Sequence, residues 1–147
     1  MKPPLLGTCP ILTCDQARTL EAALLGGDEA REWTAMQRAG NAIAAAVLRD
    51  SAEIGGLPAA ARVLVLVGKG HNGGDALIAA GAILRALPLA RAEIVFAFGE
   101  RTLRPLAAQA WRELVHQAGE RARGSAGVPP ATSYDLCLDG VFGFHPG

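Results

Sequence analysis

The period of the hydrophobic positions changes most sharply near the middle of the chain. Val63 to Val67 carries no polar side chain, which predicts a buried strand. A loop with four glycines in seven positions follows, Gly68, Gly70, Gly73 and Gly74, closed by Asp75. Small and aliphatic residues then predict a buried helix to about Leu87-Pro88. Upstream, residues 1–12 read as a leader. Thr13 and Gln16 fit a capping box, and Ala17, Leu20 and Leu24 continue a helix to about Leu25, broken at Gly26-Gly27-Asp28. A second helix is expected from about Glu29 to Arg49, with Trp33, Met36, Gly40, Ile43 and Val47 on one face. Gly40 costs such a helix about 1 kcal/mol against alanine, which a close approach to another element would offset.

Downstream, Glu93 to Phe98 reads as a second buried strand. A helix follows from about Leu103 to Ala118, with Pro105 in its first turn and Gly119 at its stop. Its expected inner face is Leu103, Ala107, Ala110, Trp111, Leu114 and Ala118. Residues 120–133 have the composition of a loop. Tyr134 to Asp139 predicts a third strand, ending on an acid. The strand–helix–strand order implies right-handed crossovers and a parallel sheet. The predicted fold class is therefore α/β, a Rossmann-like three-layer α/β/α arrangement with a mainly parallel sheet. Three strands are few for such a sheet. The expectation is an incomplete sheet, in a fragment of a longer domain or in a domain that another chain covers.

Composition narrows the class. The length of 147 residues suits one domain, and only 5% of residues are aromatic, so aliphatic strands and small-residue helices must build the core. Fourteen basic residues balance fourteen acidic ones, leaving no long-range attraction for nucleic acid. No segment has the apolar run of a membrane span, and the N-terminus is a poor secretory signal. Cys9, Cys14 and Cys137 lack paired spacing for a disulfide framework or a zinc site. They are expected to be small buried hydrophobes in a protein of the reducing cytoplasm.

The glycine loop carries the candidate chemistry. Gly68-x-Gly70-x-x-Gly73 between a strand and a helix matches the dinucleotide fingerprint, in which backbone N–H groups and a helix N-terminus receive a phosphate. An acid to hold a ribose is missing from the end of the next strand, and Glu100 lies rather far along. No Ser or Thr follows Lys69 as a magnesium-binding Walker loop requires. Lys69 can pair with a pyrophosphate or remain a solvated loop residue. Asp75 suits an N-cap or an acceptor for ligand hydroxyls. Asn72 and Asp139 offer oxygens, the donors that hard cations favour. His71 can touch a phosphate or carry a proton near neutral pH, and His116 is expected on a solvent-facing helix surface. No Ser/His/Asp arrangement or carboxylate pair is legible, so no catalytic acid or base is named.

Three stretches resemble one family. Gly68-Lys69-Gly70-His71-Asn72-Gly73-Gly74-Asp75-Ala76 is similar to the G-x-G-N-N-G-G-D-G loop of the N-terminal YjeF domain family, the NAD(P)HX epimerases. Asp139-Gly140-Val141-Phe142-Gly143-Phe144-His145 resembles the family's D-A-L-F-G-T-G, and Ala35-Met36-Gln37-Arg38-Ala39-Gly40 its L-M-E-x-A-G helix. The resemblance runs through almost the whole chain in the family's order.

It implies epimerisation of the R and S forms of hydrated NADH and NADPH, an isomerase activity in cofactor repair. It also implies a fused or separate dehydratase as partner, while the incomplete sheet and the alanine-rich second helix make a homodimer the expectation. By position, His71, Asn72, Gly73, Gly74 and Asp75 would contact substrate, with Gly143, Phe144, His145, Pro146 and Gly147. Asn72 and Asp139 would bind one potassium ion in each subunit. His71, Ala76, Phe144 and His145 depart from the family pattern. The family continues into a strand bearing D-x-P-S-G, so residues 1–147 are expected to form a domain whose C-terminal part is missing. The alternatives are a non-catalytic nucleotide-binding or dimerisation module of the same fold, and a fragment of an NAD-dependent oxidoreductase.

Overall fold

A computed structural model describes residues 10–128 and 133–143. The chain divides into two compact units between Glu32 and Trp33. In the first, α1 (Cys14–Leu25) opens with the expected capping box. The Thr13 hydroxyl oxygen accepts from the Gln16 N–H at 3.3 Å, and the Thr13 N–H donates to the Gln16 side-chain oxygen at 2.9 Å. Asp28 then caps α2 (Glu29–Ala52), its Oδ1 accepting from the N–H groups of Ala30 and Arg31.

The second unit is built on four parallel strands. These are β1 (Arg62–Val67), β2 (Arg91–Phe96), β3 (Ala122–Ser125) and β4 (Leu136–Gly140). Their order across the sheet is β3-β2-β1-β4. Two helices follow strands, α3 (His71–Ala86) after β1 and α4 (Pro105–Ala118) after β2. α3 packs on β1 and β4, and α4 packs on α3 and β3. Val63, Val65 and Val67 of β1, Ile94 of β2, and Leu77, Ile83 and Leu84 of α3 are fully buried between them. The α/β, Rossmann-like reading holds.

Several local expectations need correction. The stretch read as a loop over residues 120–133 contains β3. Ala-Arg-Gly-Ser shows no alternating pattern, because β3 is an edge strand held by its pairing to β2 and by close packing. Gly124 lies under the Phe96 and Trp111 rings, which meet edge to face at 5.2 Å. β2 ends two residues earlier than expected, which leaves Phe98 outside the sheet. The buried face of α2 is Met36, Gly40 and Ala44, while Ile43 is exposed. On α4, which starts at Pro105 and so leaves Leu103 outside it, Leu106 is buried and Trp111 is only half-buried. Cys14 and Cys137 are exposed rather than buried, and Cys9 lies outside the described residues. Cys137 sits on the edge strand β4, on the face opposite Leu138.

Other expectations are met. A Cβ on Gly40 would fall 2.5 Å from the Ile78 Cβ and 2.9 Å from the Asp75 carbonyl oxygen, so α2 crosses α3 at a point only glycine permits. Gly119 stops α4 with a φ of +55°, and His116 is exposed. Among the described residues no helix is long and apolar enough to cross a membrane.

The C-terminal end of α3 is closed by a distant side chain. Arg121 Nη1 donates to the carbonyl oxygens of Leu84, Leu87 and Ala90 at 3.0, 3.4 and 3.3 Å. A cation there also meets the negative end of the helix dipole. Arg121→Ala should cost about 2 kcal/mol, as charged hydrogen bonds at partly buried sites do. Thermal unfolding should then begin about 5 °C lower. An unchanged midpoint would mean that water serves these carbonyls equally well.

Candidate functional site

The strand order creates a switch point beside β1. The chain leaves β1 through α3 toward β2 on one side, and returns later to place β4 on the other. In open parallel sheets the ligand crevice lies outside the carboxyl ends of strands at such a point. Here the glycine loop after β1 and the turn after β4 flank it. In the register Leu66 pairs with Asp139 and Val67 with Gly140, so both loops leave the sheet at one level.

The two loops are packed backbone to backbone. Gly68 N–H donates to the Gly140 carbonyl at 3.0 Å. A Cβ on Gly68 would lie inside contact distance of the Val141 carbonyl oxygen, and one on Gly140 would fall 2.5 Å from the Asn72 carbonyl oxygen. Glycine is required at both places because carbonyl groups occupy the space a side chain would fill. Asn72 adds the decisive link. Its Nδ2 donates to the Phe142 carbonyl oxygen at 2.5 Å. The side chain of Asn72 thus ties the glycine loop to the turn after β4, seventy residues away. Gly143 lies over the same side chain, with room for a Cβ only 3.5 Å from Nδ2. Asp139 is exposed, and its Oδ1 accepts from the Val141 N–H at 3.1 Å, which shapes the turn.

The helix begins earlier than the sequence suggests. α3 starts at His71 with Gly70 as an N-cap that supplies no side-chain bond. Asp75 is therefore inside the second turn, and the capping alternative for it is withdrawn. Burial instead pushes its carboxyl from the ordinary 3.8 up to about 6, and His71, one turn back, pulls it down in part. The half-buried carboxyl therefore titrates closer to neutral pH than an ordinary carboxylate. His71 and Asn72 are exposed, while Gly73 and Gly74 are buried under the helix start. Phe144, His145, Pro146 and Gly147 lie outside the described residues.

Sequence spacing missed three neighbours of the loop. Arg104 N–H donates to the Lys69 carbonyl at 2.8 Å, and Arg104 Nη1 lies 3.9 Å from where a Gly70 Cβ would stand. Lys69 Nζ stands 4.9 Å from the centre of the Phe98 ring. Phe98 in turn meets Phe142 edge to face at 6.4 Å. No periodicity announces these contacts, since the residues sit in three loops that meet only through the sheet. The position where a dehydrogenase holds its ribose acid is occupied by Phe96 and Ala97. Glu100 is engaged elsewhere, accepting from the Trp111 indole N–H at 3.0 Å.

Comparison with known proteins supplies the family. A family model described as YjeF-related protein N-terminus matches residues 33–147. The chain belongs to this family. The match begins at the residue where the second compact unit begins, so the YjeF-related domain is the unit that carries the sheet and both loops. The chain is 38% identical to a bifunctional NAD(P)H-hydrate repair enzyme Nnr of Gloeobacter violaceus, over 95% of this chain and 25% of that protein. It is 31% identical to an NAD(P)H-hydrate epimerase of Rhodobacter capsulatus, over 90% of this chain and 61% of that protein. It is 39% identical to an NAD(P)H-hydrate epimerase of Bordetella pertussis, over 59% of this chain and 36% of that protein. The chain thus spans between 25% and 61% of the length of these relatives. In this YjeF-related domain the glycine loop and the Asp139 turn, far apart in sequence, are one structural feature.

Proposed function

We propose that the domain binds hydrated NADH or NADPH at the switch point and interconverts its R and S epimers, as an isomerase of cofactor repair. The observation that carries this reading is the Asn72–Phe142 hydrogen bond, which joins the two loops into one crevice at the carboxyl edge of the sheet. The relatives' names indicate the chemistry. A helix N-terminus behind the glycine loop, with Lys69 and Arg104 beside it, suits the pyrophosphate of a dinucleotide.

Epimerisation requires the hydroxyl of the damaged ring to leave and return on the opposite face. Asp75 is our choice for the proton carrier. With its carboxyl near 6, it gives a proton to the departing hydroxyl, which leaves as water. It takes a proton back when water adds from the other side.

A potassium ion suits the donors at hand. Asn72 uses its Nδ2 on Phe142, which leaves the amide oxygen available, and Asp139 commits one carboxylate oxygen to the turn. Among the described residues no group of three His, Cys, Asp or Glu side chains stands ready for a transition metal. Amide, carboxylate and backbone oxygens favour a hard cation of low charge. Asn72 and Asp139 would hold it, and the ion would supply positive charge beside the substrate. The same reading places the domain in the cytoplasm, as a homodimer, acting with a fused or separate dehydratase that consumes one epimer.

Proton NMR of separated S epimer tests the proposal. The full chain should bring up R-epimer signals faster than buffer alone, and faster in potassium than in sodium. Asp139→Ala should lose the potassium effect while keeping its fold. A folded chain that gives no acceleration would overturn the activity. Equal potassium stimulation of Asp139→Ala would overturn the metal assignment.

A further inference from the structure

A cleft of about 80 Å³ opens where α2, α3 and α4 meet, room for one small molecule. Its floor is apolar, formed by Leu77 of α3 and by Ala110 and Leu114 of α4, all buried. Its walls are polar, with Asn41 of α2, Arg85 of α3, and Glu113 and Gln117 of α4. Gly81 lines it too, about 15 Å along α3 from the glycine loop at the helix start.

Gly81 keeps the cleft open. A glycine inside a helix costs about 1 kcal/mol against alanine. At Gly73 and Gly74 a neighbour compels it, since a Cβ would lie inside contact distance of the Gly68 carbonyl oxygen and of the Met36 sulfur. At Gly81 no neighbour does. The atoms nearest to an added Cβ are Gln117 Oε1 at 3.4 Å, Leu114 Cδ1 at 3.6 Å and Arg85 Nη1 at 3.9 Å. A methyl would fit there in ordinary contact, and it would fill the cleft.

The walls carry two charges that do not meet. Arg85 Nη1 donates to the Gln117 amide oxygen at 2.5 Å, and Nη2 to the Asn41 amide oxygen at 3.4 Å. Gln117 is itself held, its Nε2 donating to the Gly81 carbonyl at 2.9 Å. Neutral amides thus aim the guanidinium and leave its charge uncompensated. On the other wall Glu113 Oε1 accepts from the Gln109 side-chain amide at 3.4 Å. Among the described residues, neither Arg85 nor Glu113 has an opposite charge within ion-pair distance.

We propose that this cleft binds a small zwitterion of the α-amino acid class. Its carboxylate meets Arg85, its ammonium meets Glu113, and an aliphatic side chain lies over Leu77, Ala110 and Leu114. A simple anion would face Glu113 as a like charge, and a simple amine would face Arg85. A ligand with both charges satisfies both walls, and a guanidinium offers a carboxylate two parallel N–H bonds. The site lies apart from the dinucleotide crevice and does not depend on that reading.

L-Valine is the probe, titrated into the nitrogen-15-labelled full chain. The backbone amide of Gly81 and the side-chain amides of Asn41 and Gln117 should move saturably. Isovalerate lacks the ammonium and isobutylamine the carboxylate, so each should bind at least about tenfold more weakly. Arg85→Lys keeps the charge but loses the fork, and Glu113→Gln loses the charge; each should weaken valine about tenfold. Gly81→Ala should abolish the valine-dependent movement at Asn41 and Gln117 while raising the unfolding midpoint by about 4 °C. A parent chain whose three signals ignore valine would overturn the site, as would a Gly81→Ala protein that binds valine as tightly as the parent. Isovalerate or isobutylamine binding as tightly as valine would overturn the zwitterion.

Discussion

Gly68→Ala is expected to cost about 3 kcal/mol or more and to abolish the crevice. The new methyl would enter the space of the Val141 carbonyl oxygen and come within 2.9 Å of the Gly140 carbonyl oxygen. Both are backbone atoms on a strand end, so no side chain can rotate away. Relief requires β4 to move from β1, which would break the Gly68–Gly140 hydrogen bond and draw Phe142 off Asn72. Forced overpacking of this kind typically costs 1–3 kcal/mol, and a lost backbone bond adds about 1. For a chain of this size the unfolding midpoint should fall by about 10 °C. Gly127→Ala is the control, because no atom of the described residues lies within 4 Å of its added methyl, and it should leave the midpoint where it was. A Gly68→Ala protein as stable as the parent would show that the two loops are not locked together.

That interlock explains how the sequence divides into legible and illegible parts. Val63 to Val67 and the small-residue stretch behind the glycines announce themselves, because a central parallel strand and its covering helix are buried on almost every side. Gly40 is legible for a similar reason, since a costly glycine inside a helix implies a neighbour that needs the space. β3 is illegible. Its four residues gain order from pairing with β2 and from the Phe96 and Trp111 rings, and neither leaves a period in Ala-Arg-Gly-Ser. The inner face of α4 is half legible: Ala107, Ala110 and Leu114 follow the period, but Leu106 is drawn in because the helix packs on α3 as well as on the sheet.

In the site, residue types were readable and contacts were not. Asn72 and Asp139 can be chosen as oxygen donors from the sequence, yet the bond from Asn72 to Phe142 depends on the β1–β4 register. Asp75 looked like a cap because it follows four glycines, which ordinarily disfavour helix. Packing wins instead: Gly73 and Gly74 are buried under the first turn, and the helix extends back to His71. The exposure of the cysteines was not readable either. Cys137 lies on the face of β4 opposite the buried Leu138, and among the described residues it is left exposed.

Asp75→Asn should make the protein more stable at pH 8 and nearly inactive. Burial raises the carboxyl from 3.8 to about 6, so the folded state favours the protonated form. The stability this brings is complete below pH 4 and is lost as pH rises through 6. At pH 8 the folded protein carries the charge at a cost of up to about 3 kcal/mol, reduced by solvent at a half-buried site. Asparagine never carries it. The variant should therefore unfold about 3–6 °C higher than the parent at pH 8, with no difference at pH 4. Its epimerisation rate should fall at least about a hundredfold, the contribution a positioned general acid makes. In the parent, that rate should decline as pH rises above about 6, with a slope that the variant lacks. Stability and activity would then move in opposite directions from one atom's change, which a merely structural carboxylate would not produce. A variant that is destabilised at pH 8, or that keeps the parent's rate and pH slope, would remove Asp75 from the reaction.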